Sequence, residues 1–369
     1  MKNIHLIIPD LFLPKDFAEE VVAGLSLPAL QTMLSRGHGE NLDPVSLEIL
    51  LCEIFDISYQ HDVPIAPISA VYDSLAPGCW LRADPVHLDL QRDQLLLDIV
   101  QVSGEEVAEM CVSLNGHFAG QGMEFLAPHP QRWYVRLQTL PSMRTTPLSQ
   151  VVGNDVRKLL PVGDDAAHWH QMFNEIQMLL HAHPVNDARE ARSEPTINSV
   201  WFWGGGCDTL LAKQADRGIS RQTAATVQEK SAVASSSGGR GEHVPLKKIY
   251  NNVTSDDVLT EMFAVTAGIP FSVWSKQWHD DPSIGSQLLV WTGLRSALQR
   301  GDLAAWRTAL QDYETGYAEP LWHALKSGKI DSLQLDVLGA HGVLRVQLSR
   351  GDTRAFWRRS RRLAEYPLV

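Results

Sequence analysis

A short apolar run near the start of the chain, Ile4 to Ile8, ends abruptly at Pro9-Asp10. This feature most constrains what the chain can fold into. A strand that is apolar on both faces needs cover on both faces. A parallel sheet with helices packed on each side provides it. In open α/β sheets ligands collect beyond the carboxyl ends of the strands, so Asp10 stands where a ligand would sit. The plainer reading of Asp10 is a turn aspartate leading into a loop.

The rest of the pattern agrees with an α/β plan. Residues 27–37 and 46–57 read as helices, with Leu47, Leu50, Leu51, Ile54 and Phe55 at helical spacing. Leu95 to Val102 reads as a strand, Val107 to Leu114 as a helix, and Met123 to Leu126 and Trp133 to Leu140 as two further strands. This β-α-β-β order predicts a small inserted α+β subdomain over 85–142. A core domain would then be made of 1–84 and 143–369. The clearest helix covers 165–183, where Trp169, Met172, Phe173, Ile176, Leu179 and Leu180 share one face before Pro184. Ile197 to Trp203 is a strand running into Gly204, Gly205 and Gly206. The Ser- and Gly-rich stretch 231–243 reads as a flexible loop. A helix over 256–267 starts near Thr254 and Asp257, and a helix around Leu303 to Tyr313 is expected to kink or break at Pro320. The fold class is therefore α/β, a mostly parallel sheet flanked by helices with an insertion.

Charge and cysteine usage narrow the function classes. A formal net charge of -11 argues against a surface built to grip a nucleic-acid backbone. The 11 tryptophans fall mostly at core-like positions, so they do not read as a base-stacking platform. No apolar stretch approaches the roughly 18 residues a membrane-spanning helix needs. The opening segment is too short and too soon interrupted for a secretory signal. Cys52, Cys79, Cys111 and Cys207 form no C-x-x-C pair and read as free thiols, mostly in the core. The expected location is cytoplasmic, with no nucleic-acid or membrane partner.

The most distinctive stretch is His183-Pro184-Val185-Asn186, then Arg189, then Pro195 to Gly206 with Asn198 inside it. A helix ends, a polar loop follows, and a strand runs into three glycines. Glycines placed there let backbone N–H groups approach an anion, with Asn186, Arg189 and Asn198 as further donors. The alternative is a tight turn whose Asn side chains cap local backbone. Near the end of the sequence Arg350, Arg354, Arg358, Arg359, Arg361 and Arg362 make a basic run. Read as a helix, it offers either a solvated face or a docking surface for an acidic partner or a phosphate-bearing ligand.

The pattern H-P-V-N-x-x-R followed by P-x-x-N-x-x-x-x-x-G-G-G resembles the cofactor-independent phosphoglycerate mutases of archaeal type, within the alkaline phosphatase superfamily. It looks closest to a bacterial branch of RpfE-type regulatory proteins, through the N-S-x-W-x-W-G-G-G core at 198–206. The resemblance extends to the strand ending at Asp10 and to Gly78 to Asp84. It implies an alkaline-phosphatase-like fold and a two-metal phosphoryl-transfer site. Asp10 matches the first metal aspartate, and Ser46 falls where the nucleophile is expected, although Leu47 stands where an aspartate usually follows. The later ligands, an Asp-x-x-Gly-His motif and an Asp-His pair, have no counterpart. The nearest approach is Asp336 with His341, one residue too far apart. The segment expected to hold the first motif reads Val290-Trp291-Thr292-Gly293-Leu294-Arg295, and His279-Asp280-Asp281 runs in the wrong order.

One aspartate does not hold two divalent cations. The expectation is a catalytically degenerate, mutase-like protein that binds a phosphorylated small molecule or a protein partner in a regulatory role. Asn186, Arg189, Asn198 and the glycines 204–206 would serve the ligand, and no cofactor is needed. One alternative is an active mutase or phosphohydrolase, with manganese or magnesium and Ser46 as nucleophile. Another is a scaffold docking a partner through its arginine-rich helix. His168 and His170, two apart on a helix, point different ways and do not share a metal.

Overall fold

The computed structural model describes residues 2–59, 61–207 and 250–366. In chain order the strands are β1 (Asn3–Pro9), β2 (His38–Leu42), β3 (Cys79–Gln91), β4 (Gln94–Ile99), β5 (Met123–His129), β6 (Arg132–Leu137), β7 (Met143–Arg144) and β8 (Val162–Gly163). They continue with β9 (Ser199–Cys207), β10 (Asn252–Ser255), β11 (Phe271–Val273), β12 (Gln287–Val290), β13 (Ser332–Gly339) and β14 (Gly342–Ser349). The described residues fall into two compact units, one from 2–55 and 250–366 and one from 56–59 and 61–207. The 231–243 stretch lies outside the described residues.

The first unit is built on β1. Its sheet has the order β11-β10-β12-β1-β13-β14-β2, in which β11, β10, β12, β1 and β13 run parallel. β14 and β2 complete one edge as antiparallel strands. Ile4 to Pro9 are all buried, as an apolar central strand requires. Ile4, Leu6 and Ile8 join a core with Leu30 and Met33 of helix Pro28–Arg36 and with Trp306, Leu310 and Leu321. Each such burial is worth roughly 1.5–3 kcal/mol.

Pro320 does not break its helix. Helix Leu303–Tyr313 passes through a π-turn, Glu314–Ala318, into helix Glu319–Ser327. The wide turn places Pro320 in a first turn, where its missing N–H costs little. The same π-turn carries Glu314, whose buried carboxylate accepts from Ala29 N (2.5 Å) and Leu30 N (3.1 Å). These are free donors of the first turn of helix Pro28–Arg36. Burial pushes the Glu314 carboxyl up, against those hydrogen bonds.

Next to Leu6 on β1, His5 carries a polar network. Its Nε2 lies 2.9 Å from Asp336 Oδ2, and its Nδ1 lies 2.5 Å from the Tyr250 hydroxyl. Arg345 of β14 donates to both Asp336 oxygens at 2.9 and 2.7 Å. An ionised carboxylate only accepts, so His5 Nε2 donates to Asp336. Burial works against the Asp336 charge, yet Arg345 and His5 hold its pKa down at about 2.

The second unit takes in more than the expected 85–142 insertion. Its sheet has the order β4-β3-β6-β5, with β9 also paired to β3. The reason is β3, a 13-residue strand that crosses the boundary expected at residue 85. Its first half pairs antiparallel with β9, so the 197–203 strand joins this unit rather than the β1 sheet. Helix Ala166–His181 follows, burying Trp169, Met172, Ile176 and Leu180 against Leu81, Val135 and Phe202. The expected β-α-β-β order is present as β4, helix Gly104–His117, β5 and β6.

Two further expectations are corrected. Cys79 and Cys207 are not free thiols. They face each other across β3 and β9, with Cα atoms 4.0 Å apart, and form a disulfide. Cys52 and Cys111 are free, and burial pushes both thiols up. The arginine-rich run is not a helix either. It holds two short 3-10 turns, Asp352–Arg354 and Leu363–Glu365. Tertiary hydrogen bonds replace helical ones: Arg361 N donates to Ser35 Oγ at 2.8 Å, and Arg358 donates to the Arg36 carbonyl.

The Asp336 pKa gives a test. A carboxylate held below its unfolded value stabilises the fold above that value, and the contribution is lost as pH falls through the folded value. With Asp336 at about 2 against 3.8 unfolded, this amounts to about 2 kcal/mol. Urea midpoints are expected to fall as pH drops from about 4 to about 2. In Asp336→Asn that part of the slope disappears, although the variant is less stable throughout.

Candidate functional site

Asp10 and Ser46 belong to the first unit. Asn186, Arg189, Asn198 and the glycines 204–206 belong to the second. The two groups have different chemistry.

At the carboxyl ends of the parallel strands, Asp10 leaves β1 with φ of 62°, a left-handed conformation rare for a residue with a side chain. Its N–H donates to Leu338 O at 3.1 Å, and its carbonyl accepts from Trp306 Nε1 at 3.4 Å. The backbone is thus fixed from both sides and the carboxylate turned outward. Asp10 Oδ2 accepts from Arg295 Nε at 3.1 Å. Arg295 arrives there because Trp291 N, just past β12, donates to Ile7 O at 3.0 Å. Burial works against the Arg295 charge, but Asp10, Glu48 and Asp257 outweigh it and raise the guanidinium pKa.

The surrounding acidic groups have structural duties. Asp256 Oδ1 accepts from Thr292 N at 2.7 Å and Oγ1 at 3.2 Å, tying the exits of β10 and β12 together. Burial pushes the Asp256 carboxyl up. Asp257, rather than Thr254, caps helix Val258–Ala267 through Thr260 N and Oγ1, both at 3.0 Å. Ser46 is buried and caps helix Leu47–Ile54, accepting from Ile49 N at 3.3 Å.

The remaining ligand candidates do not converge on Asp10. Asp336 is committed to His5 and Arg345, while His341 is exposed in the turn after β13. Asp280 pairs with Lys2, and Asp281 accepts from Ser283. His279 meets the Gln277 carbonyl at 3.0 Å. Among the described residues, no group of three or more His, Cys, Asp or Glu side chains is arranged to hold a metal ion. The described donors therefore do not fit a dinuclear metal centre, which needs several ligands around each ion.

In the second unit the three glycines do not follow the strand but lie within β9, and their neighbour is the protein's own Asp62. Asp62 Oδ2 accepts from Gly205 N at 2.9 Å and Thr145 Oγ1 at 2.6 Å, and Thr145 Oγ1 accepts from Gly204 N at 2.9 Å. Burial pushes the Asp62 carboxyl up, against these hydrogen bonds. The glycines have a second use. A Cβ on Gly206 would lie 2.6 Å from Pro64 Cβ, and one on Gly204 2.9 Å from Ile65 Cβ, so they let helix Ile65–Tyr72 pack against β9.

The amides and Arg189 serve the backbone. Asn186 Nδ2 donates to Leu180 O (2.7 Å) and Ile197 O (2.9 Å), and its Oδ1 accepts from Ile197 N. Asn198 pairs with both backbone groups of Leu88, as a strand residue would. Buried Arg189 pairs with Glu106 at 3.0 Å and donates to Pro195 O and Gln101 O. His170 meets the Pro161 carbonyl at 2.9 Å, and His168 lies edge-on to Trp169. The 78–84 and 198–206 stretches are neighbours for a related reason. Arg82 pairs with Asp84 and lies over the rings of Tyr134 and Trp203, while Trp203 Nε1 donates to Asp84 Oδ2 at 2.7 Å.

Sequence reasoning missed Arg295 and Asp62. Arg295 lies in the segment expected to carry metal ligands, and an arginine is not of a metal-ligand type. Asp62 is distant in sequence from the glycines it satisfies and leaves no local signal.

The fold is mixed α/β, a central sheet flanked by helices. A solved protein of Pyrococcus horikoshii shares it, with a TM-score of 0.53 at 11% identity, covering 98% of this chain and 91% of that one. A cofactor-independent phosphoglycerate mutase from Thermoplasma acidophilum aligns over 99% of this chain and 94% of its own, at 12% identity and a TM-score of 0.46. No family model matches the chain.

Short stretches of the chain are similar in sequence to 2,3-bisphosphoglycerate-independent phosphoglycerate mutases. The Methanosarcina mazei enzyme is 33% identical over 61 residues, 16% of this chain and 15% of its own. That of Methanothrix thermoacetophila is 30% identical over 108 residues, 28% and 26% of the two chains. The matches thus span about a quarter or less of these relatives. Among the described residues no helix is long and apolar enough to cross a membrane.

A buried ion pair that loses one partner leaves a stranded charge, at a cost of about 3–5 kcal/mol. Arg189→Ala is expected to lower unfolding free energy by about that amount in urea titrations. Were Arg189 a ligand-binding group instead, the variant would retain near-native stability.

Proposed function

We propose that this chain is a phosphoglycerate-mutase-like protein that has given up phosphoryl transfer and acts by binding, in a regulatory role. The observation that carries this reading is the Arg295 guanidinium on Asp10. Two-metal phosphoryl transfer concentrates divalent charge at the attacked phosphorus. Here a fixed side-chain cation holds the aspartate that the resemblance assigns to the first metal. A divalent ion about 5 Å from that guanidinium would be repelled by roughly 7 kcal/mol at an effective dielectric constant of about 20. Glu48 and Asp257 also act on the Arg295 charge.

Of the two expected ligands, a protein partner is the better supported. Asn186, Arg189 and Asn198 have their hydrogen bonds taken up by the protein's own backbone and by Glu106. The N–H groups of Gly205 and Gly204 are answered by Asp62 and Thr145. Little donor capacity is left there for a phosphate.

The test pairs two measurements on the purified protein. Elemental analysis is expected to show manganese, magnesium and zinc well below one ion per chain. Interconversion of 2- and 3-phosphoglycerate with added manganese is expected to stay at background. Turnover that Ser46→Ala abolishes would establish the active-enzyme alternative and end this proposal.

A further inference from the structure

The segment following β14 leaves the sheet and returns to it. At its start Asp352 accepts from Ser349 N (2.9 Å) and Oγ (2.7 Å). At its end Leu363 is buried in the core of the first unit and Tyr366 stacks on Phe12 with centroids 5.6 Å apart. Arg358 and Arg361 N fasten the middle to helix Pro28–Arg36. Between these anchors the chain turns two large aromatic rings into solvent. Phe356 is 80% and Trp357 69% exposed. Around them Arg354, Arg359, Arg361 and Arg362 are exposed as well.

This combination is unusual on a chain whose net charge is -11. Exposed adjacent Phe and Trp keep apolar surface in water, an unfavourable hydration that nothing in the fold relieves. Aromatic rings and arginines are the side chains that protein–protein interfaces concentrate, whereas lysine is depleted there, and residues 350–362 contain no lysine. Because the backbone is pinned at both ends, little ordering entropy remains to be lost on binding.

We propose that Phe356, Trp357 and the four exposed arginines form a docking surface for an acidic segment of a partner protein that also carries apolar side chains. Guanidinium forks pair bidentately with carboxylates, and the two rings supply the apolar contact. Two other anionic partners fit less well. The rings stand at 79° to each other with centroids 5.3 Å apart, so they do not offer successive parallel platforms for the bases of a single strand. An anionic bilayer calls for a broad amphipathic face, and here two side chains stand on a turn-rich segment. An extended polyanion would also meet the acidic body of the protein, which a short acidic segment avoids. The inference deepens the binding role proposed above and rests on it for its biological sense. Its test is separate from the turnover assay.

The experiment probes the full chain against an array of short synthetic peptides that combine Asp or Glu with Leu, Phe or Trp in varied order, beside amide-for-acid controls. Two variants accompany it, Phe356→Ala/Trp357→Ala and Arg354→Ala/Arg359→Ala/Arg361→Ala/Arg362→Ala. All six side chains are exposed, so both variants are expected to keep the thermal midpoint of the parent. A subset of acidic peptides is expected to bind, losing about tenfold or more in affinity with either variant and with amide replacement. The proposal is overturned if no peptide distinguishes the parent from the variants. It is equally overturned if a single-stranded oligonucleotide or phosphatidylserine vesicles bind more tightly through the same residues. Light scattering on the free chain covers the remaining occupant: a dimer that both variants dissolve would assign the surface to a second copy.

Discussion

β1 sits between two parallel neighbours and is buried on both faces, and the first unit is arranged around that fact. A central strand of this kind exposes only its ends. Its carboxyl end delivers Asp10, held by Leu338 and Trp306 in a left-handed backbone conformation, to the place where α/β sheets meet their ligands. The neighbour β12 delivers Arg295 to the same place. The carboxylate and guanidinium that meet there largely cancel each other. A site assembled for a metal has a cluster of negative charge looking for a cation. This one has its cation built in.

The same self-sufficiency recurs in the second unit. Three glycines in a row look like an anion cradle, but they lie within β9, and Gly205 N is answered by the protein's own Asp62. Asn186 and Asn198 look like ligand donors and act as substitute backbone. Arg189 looks like a phosphate clamp and is neutralised by Glu106. Polar groups buried in protein must be satisfied, and internal partners serve as well as a ligand does. Distinctive sequence patterns at such positions are thus compatible with purely architectural roles.

The architecture was legible in the sequence where the signal was local. The apolar run at Ile4–Ile8 pointed to a parallel strand, and the stripe on helix Ala166–His181 packs as its spacing implied. The misreadings had non-local causes. β3 crosses the expected subdomain boundary because β9 pairs with it from more than a hundred residues away, and the Cys79–Cys207 bridge follows from that register. Pro320 stays within a helix because a π-turn precedes it. The arginine run is held open by Ser35 and Arg36, which no periodicity reveals. For the site, the sequence placed Asp10 at the end of a buried strand. The partner of Asp10 required the fold.

The most direct test of this account is a crystal structure from crystals grown with manganese, with anomalous scattering read around Asp10. The account predicts an Asp10–Arg295 ion pair and no manganese peak within coordination distance of the Asp10 carboxylate. A strong peak bound by Asp10, with the guanidinium swung aside and other oxygen or nitrogen ligands completing the shell, would contradict it.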